Sequence, residues 1–533
     1  MKTLFVNIVL AVSGATALLT PQFEPLKNAN HIFNAVHDSM RQFGSSLHHN
    51  GMSFFLASVT EGIQLYHGNA SPDYLKEIGW MAFEPEHAMV FARPPRRQEK
   101  EEKGEIQGND NQQEPLSSDS ESAPSEVSHG NASGYLHTYT TTKPLRLLYV
   151  DGTSAGKSQI GTLDSQDRIL FNETINGGVS MEDERARSVC RIAENEWEGR
   201  LDGVIRMAAG FEIILCKPEV NLAPVRLKQK DDNQKPRGKP ASLLRATTSR
   251  FNDIGGDRVV VNYNNFVTAY SYDLDVFSNE NGTEKGPRLQ HIPSSDLDPI
   301  RQDLNTLVLE HDVSDNEPNW QAVADLIVAK YAPVLRGLIP HKHNGKPDSK
   351  RHQLEDRGSS KLRIAEVLAP FASPSTDESL TLCATQFLSA PDANGNSTLA
   401  HRAIYTISQT ICSTLLNLKD ETDREVIHTS VSELMKYLDW TTWKECRGCK
   451  DDEFCAVPIW PNGSESDFEH PRCERFEDGW EGRGGYWGGV FGIDFVGVRV
   501  PPRPARKPPL IQEGTAEPQA LHNFLHNGTH LKI

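Results

Sequence analysis

Eight cysteines in three groups constrain this chain more than any other feature of its sequence. The groups are Cys190 with Cys216, Cys383 with Cys412, and Cys446, Cys449, Cys455 and Cys473. An even number leaves no thiol over, and pairing within a group staples each region separately. We expect Cys190 to pair with Cys216, and the last four to form two disulfides among themselves. Locality is the whole argument, since spacing alone fixes no connectivity. The last four also resemble a zinc cluster in spacing, but in an oxidising compartment disulfides are the expectation and no metal site is assigned.

The N-terminus points to that compartment. Lys2 is followed by the apolar run Leu4 to Val12 and by Ala15-Thr16-Ala17, the pattern of a secretory signal peptide over residues 1–17. The expected location is secreted and extracellular. Asn-x-Ser/Thr sequons follow at Asn69, Asn131, Asn172, Asn281, Asn396, Asn462 and Asn527. Pro72 directly after Ser71 disfavours Asn69, so glycans are expected at the other six. The chain carries 55 Lys+Arg against 72 Asp+Glu, a net 55 − 72 = −17, which argues against a nucleic-acid binder. No internal apolar run approaches the length of a membrane span. The partners left open are a glycan or a protein.

Hydrophobic periodicity divides the chain. Residues 18–227 alternate strands and helices. Leu145 to Val150 is a nearly continuous apolar run, the mark of a buried strand. Ala186, Val189, Cys190, Ala193 and Trp197 recur at helical spacing. Apolar content collapses over 94–133, an insertion expected to be disordered, with the dibasic pair Arg96-Arg97 inside it. A polar linker is expected at 228–250. Residues 251–439 read as a β-hairpin, from Val259–Tyr263 and Phe266–Phe277, followed by long amphipathic helices. A cysteine-rich and Gly/aromatic segment spans 440–500, and a Pro-rich tail spans 501–533. The predicted fold class is α+β: a mixed α/β domain, a mainly helical region and a disulfide-rich C-terminal segment.

Several motifs invite chemistry. Gly152-Thr-Ser-Ala-Gly156-Lys157-Ser158 follows a strand but is one residue short of a phosphate loop. It reads as a turn that leaves Lys157 in solvent. Asp151, Asp164 and Asp167 are close in sequence and could supply a carboxylate pair for glycoside hydrolysis, or could be turn formers. His341, His343 and His352 sit in a polar loop with no apolar anchor for ligand geometry. No His-Glu-x-x-His pair is present.

One series of residues carries a family resemblance. His67-Gly68 ends a strand, Trp80 to Ala92 reads as a strand running into a helix, and Glu212 opens a later strand. This order resembles the ADP-ribosyltransferase superfamily. The resemblance implies a split mixed sheet around a cleft that holds NAD as substrate. It also implies roles: His67 orients the nicotinamide-side ribose, Gly68 contacts the nicotinamide amide, and Glu212 is the catalytic carboxylate that meets the developing ribosyl cation. The pattern departs at Phe83, where the family has Tyr or Ser, and at Gly210, where protein-modifying members have Glu or Gln. The chain as a whole resembles a group of secreted ascomycete proteins without assigned chemistry. Three functions are therefore open. One is a secreted glycoprotein with an ADP-ribosyltransferase-like domain, active or degenerate. Another is a non-catalytic interaction or wall-associated protein, with aromatics of Trp480 to Phe495 stacking on sugars. The third is a hydrolase using an Asp pair.

Overall fold

Nine strands form one sheet: β1 (Asn50–Val59), β2 (Gln64–Asn69), β3 (Gly79–Ala82), β4 (Tyr135–Thr141), β5 (Leu145–Gly152), β6 (Gly203–Met207), β7 (Phe211–Leu215), β8 (Leu222–Gln229) and β9 (Val259–Thr268). A computed structural model describes residues 26–93, 134–173, 175, 181–230, 241–255, 258–278, 286–313, 318–339, 361–388, 397–477 and 485–487. The expected signal segment 1–17, the insertion 94–133 and the tail 501–533 lie outside these.

The strand order is β8-β4-β2-β3-β7-β6-β5-β1-β9. Only β5 and β6 run parallel. A parallel pair needs a long crossover, and helix α4 (Glu182–Asn195) lies within it. Strand β5 is buried on both faces along most of its length, which is why its sequence reads as a run and not as an alternation.

Register assigns the two faces. Tyr149 pairs with Phe55 and Ile205, and Phe55 with Phe266, so these side chains share one face. Phe55 stacks on Phe266 and Tyr149, with centroids 4.8 and 5.9 Å away. Helix α1 (Ala29–Asp38) covers this face, and the Met40 N–H just beyond it donates to the Tyr149 hydroxyl at 3.1 Å. Arg206 and Glu212 pair across β6 and β7 on the opposite face. There Arg206 meets Glu182 of α4 at 2.7 Å. Trp197, just past α4, donates to Asn305 of α5 (Asp298–Glu310) at 2.8 Å.

Long helices follow: α6 (Trp320–Leu338), α7 (Leu399–Leu418) and α8 (Arg424–Leu438). All three pack against α1, so the helical region and the sheet share one apolar core running from Ala29 to Trp440. This differs from the expected division at 228–250. The expected hairpin is also absent. Val259–Thr268 is a single strand whose apolar residues are satisfied against β1, with Phe55 opposite Phe266. The Thr268 side chain then accepts from Tyr270 N–H and starts a tight turn, so Phe266–Phe277 does not form a second strand. The fold class itself is as expected: mixed α/β, a helical region and a disulfide-bonded C-terminal segment.

Disulfides join Cys190 to Cys216, Cys383 to Cys412, Cys446 to Cys455 and Cys449 to Cys473. The last two clasp the hairpin of β10 (Glu453–Ala456) and β11 (Arg472–Arg475) to the chain before it. Among the described residues, no helix is long and apolar enough to cross a membrane.

Candidate functional site

The start of β1 and the end of β5 approach too closely for ordinary side chains. Asn50 pairs with Gly152, and the register then slips before Phe54. Gly152 has φ 68°, the left-handed region where glycine is favoured. A Cβ on Gly51 would collide with the Asp151 backbone carbonyl. This bulge turns the Asp151 carboxylate toward the Ser53 N–H, which donates to it at 2.8 Å.

A cavity of about 280 Å³ opens beside the bulge. Helix α1 forms one wall with His31, Asn34 and Asp38; His48 and Asp151 come from the sheet side. Asp439 closes another side. It ends α8 with φ 47°, and α1 holds that end in place: Asn30 donates to the Tyr437 carbonyl at 2.7 Å and Asn34 to the Leu438 carbonyl at 3.0 Å.

Charge is ordered inside the cavity. His48 Nδ1 lies 2.7 Å from Asp38 Oδ2, and its Nε2 lies 3.3 Å from Asp439 Oδ2. Burial works against a charged imidazole, but the two carboxylates outweigh it and push His48 up to about 10. Burial likewise opposes ionisation of Asp38, yet hydrogen bonds from His37 and His48 hold its carboxyl well below the usual range. The same contest, won by His48, lowers Asp439. Asp151 goes the other way. Burial dominates, opposed chiefly by the Ser53 hydrogen bond, and the carboxyl is pushed up to about 7. His31 and His49 are pushed down to about 4, mainly by burial, so both are neutral imidazoles. His49 Nε2 lies 2.6 Å from the Tyr486 hydroxyl. One cavity therefore holds a protonated carboxyl, ionised carboxylates and a fixed imidazolium, a set able to move protons near neutral pH.

The residues singled out by the ADP-ribosyltransferase resemblance do not converge. Tyr66 pairs with Ala82, and Ala82 with Glu212, so Glu212 shares a face with Tyr66. Strand alternation puts His67 on the other face. His67 is buried, with Nδ1 2.9 Å from the Trp80 carbonyl oxygen and its ring 5.8 Å from that of His137. Glu212 is only 4% exposed and bound to Arg206 at 2.6 Å. At Gly68 a Cβ would strike the Ala88 carbonyl of helix α3 (Pro85–Met89), so helix backbone occupies the space a nicotinamide amide would need.

Of the three aspartates, only Asp151 reaches the cavity. Asp164 is bound to Arg288 at 2.9 Å and Asp167 to Arg185 at 2.8 Å. Lys157 is buried, not solvated: its ammonium sits 5.3 Å from the centre of the Trp460 ring. Tyr486 and Trp487 pack on His49, 5.5 and 5.7 Å between centroids. Asn172 and Asn462 are exposed and Asn69 is buried. Asn131, Asn281, Asn396, Asn527, His341, His343, His352 and Trp480 lie outside the described residues. Sequence reading missed His31, Asn34, Asp38, His48 and Asp439. The one local signal was the polar run His48-His49-Asn50 directly before an apolar strand.

Residues 24–233 match the family model described as the YPL277C N-terminal domain. The chain is 29% identical over 203 residues to "Uncharacterized protein YPL277C" of Saccharomyces cerevisiae, covering 36% of this chain and 40% of that one. It is 28% identical over 203 residues to "Uncharacterized protein YOR389W" of the same yeast, covering 36% of this chain and 31% of that one. The matched segment thus spans less than half of either relative. No solved structure matches the chain. The segment matched by the family model covers the sheet from β1 to β8, with α1 and Asp151, and stops short of β9 and Asp439.

Proposed function

We propose that the protein is a secreted hydrolase whose active site is the cavity between α1 and the β1–β5 bulge. Asp151 is the general acid and Asp439 the general base. The observation that carries this reading is the opposed state of two carboxyls in one cavity: Asp151 buried and raised, Asp439 lowered by His48. Asp151 donates its proton to the leaving group as the bond breaks. Asp439, whose Oδ2 faces His48, uses Oδ1 to take a proton from the attacking water. Asp38 has both oxygens engaged, by His37 and Thr441 on one and His48 on the other, so it positions His48 and stays out of the chemistry.

Secretion and glycosylation belong to the same reading; they are supported by the N-terminal pattern and by the exposure of Asn172 and Asn462. Transfer of ADP-ribose from NAD is the weaker reading of the chemistry, because the buried Arg206–Glu212 pair and the helix against Gly68 leave the implied site no room.

The test is turnover of nitrophenyl glycosides, esters and phosphates by secreted protein. One class is expected to be cleaved, with activity falling as pH rises through about 7. Asp151→Asn should lower kcat by about 10²–10⁴, the usual worth of a general acid. Turnover untouched by Asp151→Asn, or none of the three classes cleaved, overturns the reading.

A further inference from the structure

The contents of the cavity narrow its ligand. No Lys or Arg lines it among the described residues, and its one cation, His48, is already shared between Asp38 and Asp439. A phosphate or carboxylate ligand would meet two carboxylates and no free positive charge. An ammonium would set a second cation against His48, which already holds Asp38 and one oxygen of Asp439. A neutral ligand is what remains.

Shape and hydrogen bonding narrow it further. The volume, about 280 Å³, lies just under the roughly 300–1,000 Å³ of common ligand sites, so it suits a single small ring. Asn34 is 4% exposed; its amide nitrogen serves the Leu438 carbonyl, while its Oδ1 is a buried acceptor without a hydrogen-bond partner among the described residues. Such an acceptor calls for a donor from the ligand. At the rim, Phe277 is 41% exposed, although its ring lies 4.5 Å from His31 and 6.1 Å from Tyr270. An aromatic plate left open beside a polar cavity is matched by a ring with one apolar face and donors around its edge.

We infer that the cavity binds one sugar ring, with a C–H face on Phe277 and a hydroxyl donating to Asn34 Oδ1. This deepens the hydrolase reading, on which the choice of cavity rests, and makes the substrate a glycoside. Ionised Asp439 and the unsatisfied Asn34 oxygen make acceptors plentiful, which favours hydroxyl donors over the acceptor-rich edge of a nucleobase. The ring could be a free monosaccharide or the end unit of a glycan.

Saturation-transfer NMR on the full secreted protein decides between these. The probes are glucose, mannose, galactose and N-acetylglucosamine, a trisaccharide of whichever binds, and adenosine. At least one sugar is expected to bind, and the trisaccharide to show saturation confined to one terminal ring if a glycan end is the natural ligand or to fail if only the free sugar fits. Phe277→Ala should weaken binding by about tenfold, while Phe277→Trp, which keeps the plate, should retain it. Because Phe277 is exposed, both variants should fold. Binding of adenosine without any sugar, or of none of the probes, overturns the sugar site. So does sugar binding indifferent to Phe277→Ala. If sugars bind through Phe277 but no nitrophenyl glycoside is cleaved, the sugar site stands and the hydrolase reading fails. If esters or phosphates are cleaved through Asp151 while no sugar binds, the reverse holds.

Discussion

His48 Nδ1 lies 2.7 Å from Asp38 Oδ2, joining the loop before β1 to the last residue of α1. The pair sets a pH window for stability. His48 is raised from 6.5 to about 10, so its contribution is complete below 6.5 and is lost as pH rises through about 10. Asp38 is depressed below its ordinary 3.8, so its contribution is present above 3.8 and fades as pH falls through the folded value. The pair's own contribution is therefore greatest between about 4 and 6.5. Asp38→Asn should cost about 3–5 kcal/mol near neutral pH and flatten the alkaline side of the curve. An unchanged alkaline slope would show that His48 is not the titrating group.

Asp151 titrates with the opposite sign. Its folded carboxyl is raised from 3.8 to about 7, so folding is penalised as pH rises through that interval. Asp151→Asn removes the penalty. The variant should gain on wild type with rising pH and level off above 7, by on the order of 4 kcal/mol at most. Urea unfolding at pH 5 and pH 8 checks this without any substrate. A stability difference independent of pH would contradict it.

Glu212→Gln tests a structural role. The change leaves Arg206 half-compensated in a buried setting, with Glu182 still at 2.7 Å. Loss of a buried partner typically costs about 3–5 kcal/mol. The urea midpoint should fall accordingly. A variant of full stability with reduced NAD turnover would restore the carboxylate to a catalytic role.

Gly68→Ala is expected to be poorly tolerated, because its Cβ would meet the backbone of α3 and not a movable side chain. Overpacking of this kind costs about 1–3 kcal/mol. A drop in melting temperature of the secreted protein is the readout; an unchanged midpoint would mean that α3 stands off from β2.

Much of the fold was legible in local pattern. Leu145 to Val150 announced a buried strand, and Trp197 with its helical partners announced α4. Locality sufficed for Cys190 with Cys216. Two things were not legible. Which face His67 takes depends on register against β3 and β7, and strand alternation turns a single residue's shift into a change of side. The cavity draws His31, His48, Asp151, Phe277 and Asp439 from segments spread over some four hundred residues, so no window of sequence contains its chemistry.

The place of β9 has one more consequence. The stretch matched by the family model ends at residue 233, before β9 pairs with β1. Cut there, the chain would leave Ser53, Phe55 and Ala57 on a bare, apolar edge, an invitation to other strands. Helix α1 would lose α7 and α8 at the same time. The segment the family model matches is therefore smaller than the unit that covers its own sheet edge and first helix.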